Sequence, residues 1–371
     1  MTTSLLHRAD FVWGDPAHSF CLVDAEQISR DRPFRQQAEA ARRRLAFRDD
    51  DAVIAGAAPF DPDSAGVLWV GTPRPFTVVR AAAANRSPKA GQVEQRWETR
   101  ALTPEADFIA SVGKALRQIQ LGVLDKVVLS RAVEVVGQVD IDLDRLLGRL
   151  AEDSSALSFA FRDGDRRFMG ASPEVLVSKR GSVVESGPLA GSAARRGDVR
   201  DDINAVQALL NSPKDLAEHA FVAEGISDRL RQAGKVAIDG PHLLETAFIW
   251  HLKSTVRADL DPSESRDSLA FAELLHPTAA VCGLPGETAR QFIREVEARD
   301  RGFYTGYVGW QNKRGDGDWR IILRAANVYA RSAILDVGAG VVRGSEPASE
   351  YAETALKLRP MLQALGASAD I

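Results

Sequence analysis

Residues 156–185 read ALSFAFRDGDRRFMGASPEVLVSKRGSVVE, two hairpins back to back. Ala156 to Arg162 and Arg167 to Ala171 are runs of β-forming residues on either side of Asp163-Gly164-Asp165, a tight-turn signal. Glu174 to Lys179 and Ser182 to Glu185 repeat the pattern around Arg180-Gly181. Hairpins can only pair strands antiparallel. Upstream, Lys126 to Val136 reads as a buried strand and Leu143 to Ala151 as a helix. Downstream, Gly191 to Asp202 reads as a mobile loop, and Ser212-Pro213 starts a helix towards Gln232 with a serine cap and proline in the first turn. Thr246 to Val256 follows as a strand, then helices over Asp267 to Leu275 and Ala289 to Ala298. Tyr304 to Gln311 and Trp319 to Val328 are expected as two strands joined at Lys313 to Asp318. Before all of these, the spacing predicts helices over Pro33 to Phe47 and Pro104 to Leu121. Strands are expected at Val53 to Ala58 and Val67 to Val70, and a polar loop at Asn85 to Gln95. Hairpins interspersed with helices indicate an α+β fold, not a doubly wound parallel sheet. No repeat or clear linker divides residues 1–371, so one large domain is expected.

The bulk composition narrows the class of function. A net charge of −4 gives no field that would recruit nucleic acid or an anionic membrane. The arginines at 42–44 are mixed with acids and lack interleaved aromatics, so they read as a solvated helix face. No apolar run reaches the roughly 18–20 residues of a membrane span. No signal-like pattern opens the chain, and Cys21 and Cys282 form no framework or metal spacing, so a reducing cytoplasm is expected.

Several residues could carry chemistry. Lys126 begins an apolar strand, where it is either a snorkelling strand end or a base; a base would need its pKa moved down from about 10.4. Glu174 enters a strand after Ser172-Pro173, either exposed or, on a partly apolar face, as a general acid with a raised pKa. Asp215 and Glu218 lie one turn apart at a helix start, and Glu350, Glu353 and Lys357 share a face of the last helix. Alone, each group reads first as surface charge on a helix. Facing one another, the two helices would form an all-oxygen site suited to Mg²⁺, while zinc ligands are nowhere clustered. Before the last helix, Gly338 and Gly340 read as a turn exposing backbone after a strand at Ser332 to Val337. Arg324, set in the apolar run Ile321 to Ala326, should face an anion or carboxylate. His219, His251 and His276 read as structural or as supporting the site from behind.

Taken together, ordered strings go further than single residues. LDKVVLSRAVEV (124–135), FMGASPEVLV (168–177), SGPLAGSAARR (186–196), SPKDLAEHAFV (212–222), WHLKSTV (250–256), LLHPTAAVCGLP (274–285), DRGFYTGYVGW (300–310), WRIILRAANV (319–328) and VGAGVVRGSEPASEYAETALKL (337–358) occur in that order. They resemble the chorismate-utilising enzymes: isochorismate, salicylate, anthranilate and aminodeoxychorismate synthases. The resemblance is strong over about residues 100–365 and weaker around 50–75. A lysine at the position of Lys126 is closest to the isochorismate synthases, since the ammonia-using branches typically carry glutamine there. Ala279 replaces the usual proline, and Cys282 replaces a hydroxyl residue of other branches.

The resemblance implies two packed, largely antiparallel sheets flanked by helices. It implies that chorismate is isomerised to isochorismate, with salicylate synthesis, an ammonia-using reaction or silent binding as alternatives. Lys126 would deprotonate the water that attacks C2, and Glu174 would protonate the departing C4 hydroxyl. Glu218 and Glu353 would hold Mg²⁺, with Asp215 and Glu350 as further acids. Gly191, Ser192, Ala280, Tyr304, Arg324, Gly338, Gly340 and Lys357 would contact substrate. A monomer is expected without a glutaminase subunit, its product feeding siderophore or menaquinone synthesis.

Overall fold

The structure, a computed structural model, describes residues 5–15, 18–78 and 96–367. The loop expected at 85–95 lies outside these. The two hairpins of 156–185 form as expected, Leu157–Asp163 with Arg166–Ser172 and Val175–Arg180 with Val183–Gly187. They belong to different sheets, and the two-residue joint Pro173-Glu174 carries the chain from one to the other. Each sheet has ten strands, and every strand pair among the described residues is antiparallel.

The sheets pack face to face on an aromatic core. Phe11, Trp13, Phe159, Phe161 and Phe168 of the first meet Trp69, Val308 and Trp310 of the second, with Phe303 between. Helices Leu143–Leu150 and Pro347–Leu365 cover the outer face of the first sheet. Phe34–Ala46, Pro213–Leu230 and Ser268–Leu275 cover that of the second. Phe161 is fully buried and stacks on Phe168 at 5.1 Å, with Phe303 edge-on at 5.0 Å. Phe161→Ala should therefore cost about 3–5 kcal/mol, measurable as a lowered denaturation midpoint with unchanged slope.

Three expectations need correction. Residues Trp319 to Val328 are not one strand but two, Gly317–Ile321 in the second sheet and Ala325–Val328 in the first. The break falls at Ile322-Leu323-Arg324, where Arg324 takes φ 48°. Gly338 and Gly340 form no turn; they lie inside the long strand Ser332–Val342, paired along its whole length with Lys126–Gly137. The expected loop at 191–202 instead contains the end of strand Leu189–Ala194 and the start of helix Val199–Leu210, capped by Asp198.

Candidate active site

Where the chain switches sheets it places side chains between them. Glu174 sits at one switch and Arg324 at the other, and both line one shared cavity. The strand Ser332–Val342 makes its floor with Gly338 and Gly340. These glycines are there for space. A Cβ at Gly340 would stand 2.8 Å from Glu218 Oε1 and 3.3 Å from Lys126 Cε, and one at Gly338 would be 3.1 Å from the Tyr304 hydroxyl. The strand Leu189–Ala194 brings Gly191, at φ 81°, and Ser192 to the rim. Helix Pro213–Leu230 begins on its Ser212 cap and turns Asp215 and Glu218 inward. Helix Pro347–Leu365 presents Glu353 and Lys357 from the opposite side. Ala280 and Tyr304 complete the set.

Two expected site residues stand behind the wall. Lys126 is only 1% exposed and reaches Glu218 Oε1 at 2.8 Å, so it touches the site through that carboxylate and beneath Gly340. Glu350 is 3% exposed and turns to Lys214 at 3.3 Å; it is not part of the cavity surface. The cause is helical geometry: the buried stripe of this helix includes Thr354 and Leu358, one and two turns beyond Glu350.

The electrostatics divide the carboxyls by role. Glu174 is 3% exposed, and burial pushes it up to about 8 against the opposing pull of Lys126, the Leu189 N–H and Lys357. At neutral pH it is an uncharged acid. Burial also works to raise Glu218, but the Lys126 ammonium outweighs it and the carboxyl ends below its usual range. Glu353 pairs with Lys357 at 2.6 Å. Burial opposes the charge on Lys357, yet Glu353 and its acidic neighbours hold the lysine above its ordinary value. Asp215 is raised by burial and by the proximity of Glu218 and Glu353.

Mutual repulsion among oxygen donors is the condition a hard cation relieves, so Asp215, Glu218 and Glu353 fit Mg²⁺ in chemistry. Among the described residues no three such side chains converge into a ready-made ligand set. Glu218 and Glu353 are each committed to a lysine instead.

Spacing had not suggested other parts of the site. Lys214 and His251 line the cavity too. His251 is held well below its usual range by burial and by the cations Arg324 and Lys357, and its Nε2 accepts from Arg324 Nη2 at 2.8 Å. The string WHLKSTV signalled this histidine only through resemblance. His219 does act structurally, tying the Ala190 carbonyl at 3.1 Å to Ser254 at 2.7 Å.

This arrangement can be compared with known proteins. A family model described as "Chorismate binding enzyme" matches residues 76–366. The chain belongs to the chorismate-binding enzymes. Isochorismate synthase DhbC of Bacillus subtilis is 38% identical over 340 residues, covering 89% of this chain and 84% of that one. The vibriobactin-specific isochorismate synthase of Vibrio cholerae is 36% identical, covering 90% and 85%. The crystal structure of the putative 2,3-dihydroxybenzoate-specific isochorismate synthase DhbC from Bacillus anthracis superposes with a TM-score of 0.87 at 32% identity over 97% of each chain. As a member of this family the chain has the two-sheet α+β fold that resemblance implied. Among the described residues no helix is long and apolar enough to cross a membrane.

Proposed function

We propose that this chorismate-binding enzyme is an isochorismate synthase. One observation carries the reading: a buried lysine and a buried, uncharged carboxylic acid flank a single cavity furnished with cations and glycines. Lys126 must first release the ammonium proton it holds against Glu218; as the amine it then takes the proton of the water that attacks C2 of chorismate. The ring double bond shifts, and the C4–O bond breaks as Glu174 protonates the departing hydroxyl. One water enters and one leaves, so the net change is an isomerisation. A paired base and acid acting this way need pKa values moved toward neutrality, and Glu174 has that shift.

Arg324 and Lys357 suit the two substrate carboxylates, and Gly191, Gly338 and Gly340 let backbone approach the ring. Mg²⁺ would be held by Glu218 and Glu353 with Asp215 beside them; bound there, it would neutralise these acids and orient a substrate carboxylate. The high sequence identity to isochorismate synthases supports this reading over the salicylate and ammonia-using alternatives. We further infer a monomer working in the cytoplasm, which two buried, unpaired cysteines favour, with its product feeding a siderophore or menaquinone route.

Purified protein incubated with chorismate and Mg²⁺ should yield isochorismate on chromatographic separation. Salicylate with pyruvate as main products, or an aminated ring when ammonium is added, would overturn the assignment. Glu353→Gln should raise the Mg²⁺ concentration for half-maximal rate by about tenfold or more, the scale on which even outer partners of a metal site act. Calorimetric titration with Mg²⁺ alone checks the same shift without turnover.

A further inference from the structure

Along the floor strand, Asp336, Gly338 and Gly340 share the face turned to the cavity, because side chains alternate. Two of the three are glycines; Asp336 is the side chain that the floor itself contributes. It lies one same-face step, about 7 Å, beyond Gly338 and Tyr304, at the end away from Glu218 and Lys126. Its carboxyl makes no ion pair and no side-chain hydrogen bond among the described residues. Its charged neighbours are Arg299, Glu297 and Arg301, from the segment after helix Gly286–Val296. Arg301 is already engaged by Glu297 and by the Val128 and Val281 carbonyls, and Arg299 is exposed and screened by solvent. Tyr304, whose hydroxyl stands over Gly338, feels Asp336 as a nearby negative charge. On the paired strand Ala132 stands opposite, flanked on the same face by Ser130 and Glu134. The helix Pro347–Leu365 sends Lys357, which donates to the Gly338 carbonyl at 3.2 Å, with Glu353 bound to that lysine.

We propose that Asp336 sets substrate affinity in this enzyme: as a neutral carboxyl it donates to the substrate carboxylate lying at the Tyr304 end, and as a carboxylate it repels it. The inference rests on chorismate being the ligand, a dianion whose other carboxylate belongs with the acids and lysines at the far end. Burial supports it, raising Asp336 to about 7, with Arg299 opposing, Glu297 adding and Arg301 opposing. Asp336 also borders a second cavity, at the gap in the sheet edge between Gly283–Leu284 and Trp97–Ala101. That gives the carboxyl a route to exchange its proton without crossing the bound substrate.

Affinity must then fall as pH rises through the range in which Asp336 ionises. Chorismate binding is best measured by calorimetry in a Glu174→Gln background, which slows turnover and removes the other acid titrating near neutrality. With Asp336 present, the dissociation constant should rise roughly tenfold between about pH 6 and about pH 8.5. With Asp336→Asn or Asp336→Ser it should change less than about twofold. An equal pH dependence in all of them would overturn the proposal, as would weakening by Asp336→Asn at both pH values alike. Asp336-dependent binding in a protein that releases salicylate or an aminated product would leave this inference standing and overturn the functional reading. Isochorismate formation with pH-independent binding would do the reverse.

Discussion

Glu174→Gln should lower kcat by about 10²–10⁴-fold, the range a positioned general acid supplies, while chorismate binding measured by calorimetry changes little. Gln keeps the shape and cannot donate the proton that the C4 oxygen needs. In the wild-type protein the same proton sets the alkaline limb: activity should fall as pH passes about 8, where Glu174 ionises. Stability gives an independent check. Burial holds the proton on Glu174 in the folded state from its ordinary value of 4.5 up to about 8, while the unfolded chain has lost it across that window. The folded state therefore binds more protons there, and rising pH works against it. The Gln variant lacks this penalty, so its melting temperature should gain on wild type between about pH 5 and pH 8. Unimpaired turnover in the variant would remove Glu174 from the mechanism. A melting difference independent of pH would show that the carboxyl is not held neutral.

The sequence shows some of these features clearly and hides others, for physical reasons. The hairpins of 156–185 are legible because Asp163-Gly164-Asp165 and Arg180-Gly181 mark their turns locally. That they belong to separate sheets is not legible, since sheet membership depends on distant partners: Arg166–Ser172 pairs with Ala325–Val328, and Val175–Arg180 with Gly317–Ile321. The break at Arg324 is hidden for the same reason. Ile321 to Ala326 is uniformly apolar around the arginine, and only the need to cross between sheets forces φ 48° there. Strand Gly234–Glu245 escapes periodicity because it is an edge strand, largely exposed along its length and interrupted at Gly240-Pro241. Glu174 was readable as an acid near a strand, whereas its burial follows from the switch between sheets. Glu350 shows the opposite failure: helical spacing put it with Glu353 and Lys357, but packing turned it to Lys214. Resemblance grouped residues that the fold brings around one cavity, because it carries the tertiary pairing that spacing lacks.

Lys126 poses the sharpest test because its charge and its chemistry are entangled. Its ammonium is buried against Glu218, whose side chain is 13% exposed. Removing one partner of such a pair strands the other and costs about 3–5 kcal/mol. Lys126→Ala should thus lose turnover by about 10²–10⁴-fold and be markedly less stable, and the single variant cannot say which loss causes the other. Adding Glu218→Gln removes the stranded carboxylate. The double variant should recover most of the lost stability on chemical denaturation, showing a coupling of the sign expected for a paired charge. Its turnover should not recover, since no group remains beneath Gly340 to take the proton from water. If activity returned together with stability, Lys126 would be a structural counter-ion to Glu218 and the base would lie elsewhere in the cavity. If stability never fell, the ion pair would contribute little, and the burial of Lys126 would have to be explained by its chemistry alone.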